Sequence, residues 1–167
     1  MNKLTPTPVA PRVRSKSLKA AVGVSCAAVL LSVVPKFEGM ILRGHKDPIG
    51  IVTACAGHTA TAILGKPYTL AECNQLLADD LIKHADGVNA CVKVPMTDGQ
   101  RAAFVSFAFN VGTGAFCKST MVRKLNTGDY SGACAELSKW TYAGGRQFPG
   151  LVKRRAAERA LCEGPVL

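Results

Sequence analysis

The chain has 167 residues, about the length of one domain, and 48% of them are apolar, which permits a packed core and excludes wholesale disorder. It carries 21 Lys and Arg against 11 Asp and Glu, a formal net charge of +10. Its 16 Gly and 9 Pro follow no period, which excludes collagen-like order, and no apolar run reaches the ~18–20 residues of a membrane span, which excludes a multi-span protein.

Residues 1–19 contain Lys3, Arg12, Arg14, Lys16 and Lys19 and no acid, so half of the net charge sits there. Pro6, Pro8 and Pro11 predict an extended, disordered tail. A basic tail can bind nucleic acid, but here AAVGVSCAAVLLSVV follows at once, residues 20–34, without a charge. A basic stretch followed by an apolar one is the pattern of an export signal, with the basic side left in the cytoplasm. As a helix these residues rise only ~22 Å against a hydrocarbon core of ~30 Å. The first half is also diluted by Ala, Gly and Ser. Cleavage after Cys26-Ala27-Ala28 would strand VLLSVV on the mature chain. A lipoprotein site at Cys26 lacks the apolar residue that Gly23 displaces. The favoured reading is an uncleaved, marginally inserted anchor over 20–35. The alternative is that 24–38 form the first helix of the globular domain, because short apolar runs suit either setting.

Residues 36–167 read as one mixed domain. Asp47-Pro48-Ile49-Gly50 has the residues of a type I turn, and Ile51-Val52-Thr53 favours a strand, which predicts a small sheet between 41 and 64. Thr69-Leu70-Ala71-Glu72 is a capping box. It opens a helix in which Leu70, Cys73, Leu77, Leu81 and Val88 recur at helical spacing, with an end expected near Asp86-Gly87. A second capping box, Thr97-Asp98-Gly99-Gln100, opens a helix that is apolar nearly all round: Ala103, Phe104, Val105, Phe107, Ala108, Phe109 and Val111. This predicts a central buried helix. Ser119 or Thr120 caps a short helix to Asn126. Asp129 caps another that carries Ala133, Leu137 and Trp140. Ala143 to Arg146 read as a flexible loop, and a basic helix, Leu151 to Cys162, closes the domain. The fold class is α+β: a small antiparallel sheet lobe beside a helical lobe, with a cleft where they meet, preceded by an apolar N-terminal helix.

Seven cysteines are present, Cys26 and six after residue 50. None forms a C-x-x-C pair, and His45, His58 and His84 are scattered, so a metal site is not expected. Six cysteines are either small buried apolar residues or three disulfides, for which sequence leaves fifteen connectivities open.

The chemistry-bearing residues lie around the expected cleft. Glu38 ends the first helix, Asp47 follows nine positions later at the turn, and Thr53 six after that on the next strand. Two carboxylates across a cleft can divide glycoside hydrolysis: one donates a proton to the leaving oxygen, and the other activates water or stabilises charge on the sugar. A hydroxyl such as Thr53 can hold the attacking water. His58 could serve as an acid or base in principle, since histidine as a residue type suits that work, yet a structural role is expected because the carboxylates fill the catalytic ones. Arg154 and Arg155 read as a solvated face.

The stretches FEG at 37–39 and DPIGIVTACAGHT at 47–59 resemble the phage-type lysozymes of glycoside hydrolase family 24. The signature of that family is Glu, eight residues, Asp or Cys, five residues, Thr, and Glu38, Asp47 and Thr53 fit it without a gap. The resemblance continues through LGKPYTLAEC, SFAFNVGTGAF, STMVRKLNTGDYSGAC and WTYAGGRQFPGLVKRRAAERALC, covering about residues 36–163. It is strongest to endolysins with a signal-arrest-release segment, in which an Ala/Gly/Ser-rich helix anchors an inactive enzyme and later leaves the membrane. Some relatives place Cys at the Asp47 position and control it by disulfide exchange; Asp47 removes that simple switch here.

The resemblance implies a lysozyme-like fold and hydrolysis of the β-1,4 bond between N-acetylmuramic acid and N-acetylglucosamine in peptidoglycan. Glu38 would be the general acid, and Asp47 would act with Thr53 on the water. Thr59, Phe109, Asn110 and Ser119 align with positions that contact sugar in family members, although Phe109 equally suits the core and Ser119 a helix cap. It also implies the pairs Cys55–Cys73, Cys91–Cys117 and Cys134–Cys162. The expected partners are peptidoglycan and, through residues 20–34, the host inner membrane, with later release to the periplasm. No cofactor, metal or nucleic acid is expected, and the chain is expected to act as a monomer. A lytic transglycosylase and a non-catalytic wall-binding protein are the competing readings. The first has no use for Asp47 and Thr53 on a water, and the second leaves the intact Glu/Asp/Thr set unexplained.

Overall fold

The computed structural model describes residues 17–164, so the expected basic tail lies outside the described residues up to position 16. Ser17 caps a short helix α1, Leu18–Val22, by accepting from the Ala20 amide at 3.3 Å. Gly23, at φ +89°, turns the chain into α2, Val24–Glu38. A positive φ of this kind is routine only for glycine. Cys26, Ala27, Leu30 and Val34 form a helical stripe on α2, each at most 1% exposed, and they pack in the main core. The segment with two readings therefore forms, in the folded domain, the first helices of the globular unit. The boundary expected at 35/36 falls inside α2, because the helix continues through Pro35 to Glu38. Among the described residues no helix is long and apolar enough to cross a membrane.

Strand β1, Ile41–Lys46, pairs antiparallel with β2, Val52–Cys55, and sets His45 opposite Thr53. The turn between them closes as its residues predict, with the Gly50 amide donating to the Asp47 carbonyl at 2.9 Å. Helix α3, Leu70–Cys91, opens with the full Thr69/Glu72 capping box. It runs past Asp86-Gly87 rather than ending there. Gly87 serves packing instead: a Cβ on it would lie 2.2 Å from Thr113 Cγ2 on the neighbouring helix.

Helix α4, Asp98–Val111, carries the second capping box and is the central buried helix, with Ala102 through Ala108 all buried. It is covered by α2, α3 and the last helix. Helix α5, Thr113–Cys117, is followed by α6, Thr120–Asn126, which Ser119 caps, and α7, Tyr130–Glu136, which Asp129 caps. Residues 143–146, expected as a flexible loop, form a hairpin: β3, Tyr142–Ala143, pairs with β4, Arg146–Gln147. Gly144 and Gly145 both take positive φ, +54° and +77°, which is what a two-residue hairpin turn requires. Helix α8, Pro149–Glu163, starts two residues before the expected Leu151, with Pro149 in its first turn, where a missing amide donor costs nothing.

Three disulfides bind these elements. Cys55–Cys73 joins β2 to α3, Cys91–Cys117 joins α3 to α5, and Cys134–Cys162 joins α7 to α8, with Cα separations of 5.1, 5.6 and 5.6 Å. Cys26 is free and buried, and burial pushes its thiol up to about 12, with Asp98 adding to the shift and Arg101 opposing it. A thiol so raised is not a nucleophile near neutral pH.

Candidate active site

Glu38 occupies the last turn of α2, and Gly39 at φ +76° carries the chain out toward β1. Two cavities meet at Glu38 and Asn110. One, of about 610 Å³, lies between Lys36, Phe37, the hairpin at Ala143 and the start of α8. The other, of about 340 Å³, lies between the 57–60 loop, α3 at Asp80, Lys83 and His84, and Phe109 of α4. The groove they form runs across the junction of the sheet lobe and the helical lobe. Such junctions are where concave sites usually lie.

The Glu38 side chain is about one-fifth exposed. Its Oε1 accepts from Arg154 Nη1 at 2.5 Å. Its Oε2 faces the 57–60 loop, since a Cβ on Gly57 would come within 3.9 Å of it. Arg154 is not on a solvated face: it is 3% exposed, and Arg155 is 1% exposed. Arg154 Nε donates to Glu158 Oε1 at 3.0 Å and its Nη2 to the Ser106 carbonyl at 3.1 Å, while its guanidinium lies 5.2 Å from the Phe37 ring centre. Arg155 donates to Glu158 Oε2, to Asn110 Oδ1 and, at 3.0 Å, to the Trp140 carbonyl. Burial lowers the Arg155 guanidinium from its ordinary value, and the neighbouring Glu158 carboxylate opposes this. Glu158, fully buried, also accepts from Ser106 Oγ at 2.8 Å. Two guanidinium and two carboxylate groups thus form one chain of bonds from the core to the cleft, fixing Glu38 at one end and Asn110 at the other. Buried charges persist only when paired in this way.

On the far wall His58 is buried, and the backbone amide of Thr61 donates to its Nε2 at 3.1 Å. Nε2 is therefore an acceptor, and the ring proton sits on Nδ1, which donates to Asp80 Oδ2 at 2.6 Å. His58 thereby anchors the 57–60 loop to α3, a structural role. Asp80 is shared with Lys83 at 3.2 Å.

The remaining candidates divide between the cleft and other places. Thr59, Phe109 and Asn110 line the cavities together with Glu38. Asp47 lies at the sheet turn, where its Oδ1 accepts from the amides of Ile49 at 3.0 Å and Ile51 at 2.8 Å. Thr53 is 8% exposed on β2. Ser119 is buried and caps α6 by accepting from the Val122 amide at 3.4 Å. Neither cavity is lined by Asp47, Thr53 or Ser119. The sequence reading missed the Arg154–Glu158–Arg155 network. Its one visible signal is the R-R-x-x-E spacing, which puts all three side chains within one turn of a helix.

A family model for phage lysozyme matches residues 35–158, from the end of the apolar segment to the buried Glu158. The chain belongs to the phage lysozyme family. The SAR-endolysin of Bacteriophage PS119 is 42% identical over 160 residues, spanning 92% of this chain and 96% of its own. The SAR-endolysin of Escherichia phage Mu is 40% identical over 124 residues, 74% of this chain and 72% of its own. Among solved structures, the muramidase domain of SpmX from Asticaccaulis excentricus superposes with a TM-score of 0.76 at 32% identity, over 81% of this chain and 95% of that one. The endolysin of phage FAHEc1 superposes with a TM-score of 0.73 at 28% identity, over 81% and 90%. As a phage lysozyme the chain is a lytic, hydrolytic enzyme with a lysozyme-like fold.

Proposed function

We propose that this endolysin is a muramidase that cleaves the β-1,4 bond between N-acetylmuramic acid and N-acetylglucosamine in peptidoglycan, with the family 24 arrangement. Glu38 donates the proton to the leaving oxygen through Oε2, while Arg154 holds Oε1. Asp47 and Thr53 direct a water to the opposite face of the sugar, and Thr59, Phe109 and Asn110 contact the glycan. Ser119, the cap of α6, is the fourth position to which the family resemblance assigns a glycan contact. The carboxyl groups of Glu38 and Asp47 are expected roughly 6.5–9.5 Å apart, the spacing that leaves room for a water and inverts the anomeric centre. The observation that carries this reading is the position of Glu38: it is the carboxylate at which both halves of the cleft meet. Membership of the phage lysozyme family supports it.

Glu38→Gln tests the assignment. A neutral amide cannot donate the proton, so lysis of chloroform-treated cells should fall ~10²–10⁴-fold while the melting temperature stays within a few degrees. Activity within threefold of the parent overturns the role. Product analysis separates the mechanisms: hydrolysis leaves a reducing muramic acid end, and a transglycosylase leaves a 1,6-anhydro end.

The same reading extends to residues 20–34 as a transient anchor in the host inner membrane, with the tail cytoplasmic and the domain periplasmic until release. Supporting it, the side chains that would face lipid are in part those that fill the core in the folded domain: Cys26, Ala27, Leu30 and Val34. They cannot serve both settings at once. While the segment is inserted, the domain lacks α2, and Glu38 is only a few residues from the bilayer. Release as a monomer completes the core and sets Glu38 in the cleft.

A further inference from the structure

The sheet lobe carries apolar surface that its own packing does not use. Among the described residues twelve large apolar side chains are exposed, and six of them, Ile41, Leu42, Ile49, Ile51, Ile63 and Leu64, belong to this lobe. Its interior is already filled, because Ala54, Cys55 and Tyr68 pack with Cys73 of α3. The six come from neighbouring segments. Strand β1 pairs with β2 and also bonds to residues 65–68: the Gly44 amide donates to the Lys66 carbonyl at 2.9 Å, and the Tyr68 amide donates to the Leu42 carbonyl at 2.9 Å. A Cβ on Gly44 would lie 1.9 Å from the Ile63 carbonyl oxygen, so glycine there lets the stretch bearing Ile63 and Leu64 close on β1. The charge beside these side chains has one free sign. Arg43 and Lys46 are exposed and have no ion-pair partner among the described residues. Both carboxylates of the lobe are engaged, Asp47 with its turn amides and Glu72 with Thr69 and Lys66.

Gathered aliphatic side chains mark an interaction surface, and aliphatic groups set among free cations match the boundary of an anionic bilayer, where hydrocarbon lies under phosphate. We propose that the sheet lobe is a docking surface for a bilayer with anionic phospholipid headgroups, a membrane contact separate from residues 20–34. Ile and Leu side chains of the lobe enter the headgroup layer, and Arg43 and Lys46 meet the phosphates. The setting of this contact rests on the anchor reading. Residues 35–40 alone separate Val34 from Ile41, and so short a stretch spans at most ~25 Å when extended, so a tethered domain holds this lobe close to the bilayer. The contact prolongs residence at the membrane after the anchor has left, and it weakens as salt screens the cations.

The test measures partition of the full chain onto sedimented vesicles, either of phosphatidylglycerol and phosphatidylcholine in equal parts or of phosphatidylcholine alone. Parent and variants share the same basic tail and apolar segment, so a difference between them reports the lobe. Leu42→Ser/Ile63→Ser/Leu64→Ser should lower partition onto the anionic vesicles roughly tenfold. Arg43→Gln/Lys46→Gln should lower it about threefold there and leave partition onto the neutral vesicles unchanged. Hydrolysis of purified peptidoglycan should stay within about twofold of the parent in both variants, since exposed side chains outside the cleft carry little of the fold. Parental partition by the Ser variant assigns vesicle binding to the tail or residues 20–34 and overturns the docking surface. A Ser variant that loses binding to sacculi but not to vesicles makes the lobe a wall contact, and a parent dimer that this variant converts to monomer makes it a contact between copies; either result overturns lipid docking. None of these failures touches the muramidase or anchor readings, which are measured by product analysis and by fractionation of lysing cells.

Discussion

Glu158 shows how one residue governs the site without touching it. It is fully buried and receives Arg154, Arg155 and Ser106, so it supplies the carboxylate that lets two guanidinium groups lie inside the helical lobe. Glu158→Ala leaves Arg154 with Glu38, itself partly exposed, as its one carboxylate partner among the described residues, and Arg155 with neutral acceptors alone there. Removing one partner from a buried ionic network typically costs ~3–5 kcal/mol. Urea unfolding should register that loss, and lytic activity should fall as well because Arg154 no longer holds Glu38. A loss below about 1 kcal/mol would show that the network is not a stabilising unit. Cys26 illustrates the opposite case. It is buried and uncharged, and its raised thiol leaves it as a packing residue of α2.

At the scale of elements, α2 carries the most consequence. One face, Cys26, Ala27, Leu30 and Val34, belongs to the core, while Ala28 and Ser32, one turn apart, face solvent. Those two positions can be altered without loss of core packing. In a bilayer they would face lipid, where each Leu at the centre of a helix favours insertion by ~0.3–0.6 kcal/mol. Ala28→Leu/Ser32→Leu should therefore leave the melting temperature of the purified domain nearly unchanged, delay lysis and raise the membrane-pelleted share of the protein. Parental timing with fully soluble protein would remove the anchor from the proposal. Gly23 is unsuited to the experiment: its φ of +89° would strain any side chain, so a substitution there would disturb the folded state as well.

Across the whole molecule the disulfides divide the chain. Every cysteine pair lies between Cys55 and Cys162, so none crosses to α1 or α2. The sheet lobe is tied to α3, α3 to α5 and α7 to α8. The N-terminal helices are held by apolar packing and by the Glu38–Arg154 ion pair at the end of α2, without a covalent tie among the described residues, which suits the proposed transient anchor. Each closed loop, of 18, 26 or 28 residues, removes freedom from the unfolded chain worth roughly 3 kcal/mol in the chain-entropy model. Cys134→Ser/Cys162→Ser should thus lower unfolding free energy by about that amount and reduce the midpoint of denaturation, with a somewhat steeper slope because the unfolded chain expands. A variant as stable as the parent would show that the pair contributes only local geometry.

Features that depend on neighbours within a few positions were legible in the sequence. Both capping boxes form as spelled, the Asp47–Gly50 turn closes, Ser119 and Asp129 cap their helices, and the apolar run 102–108 is the central helix. Local hydrogen bonds and helical spacing decide these, and both are written along the chain. The Glu38, Asp47 and Thr53 set came from the family resemblance and not from local rules; of the three, Glu38 lines both cavities. Other features waited for tertiary structure. Arg154 meets Glu38 across 116 positions and Arg155 meets Asn110 across 45, so a pair of basic residues that reads as solvent-facing becomes the buried support of the site. Gly87 reads as a helix end until Thr113 is seen against it. The apolar segment of residues 20–34 had no single destination in sequence, because hydrocarbon and a protein core reward the same side chains. In the folded domain the neighbouring helices, offering a matching apolar surface, decided its place.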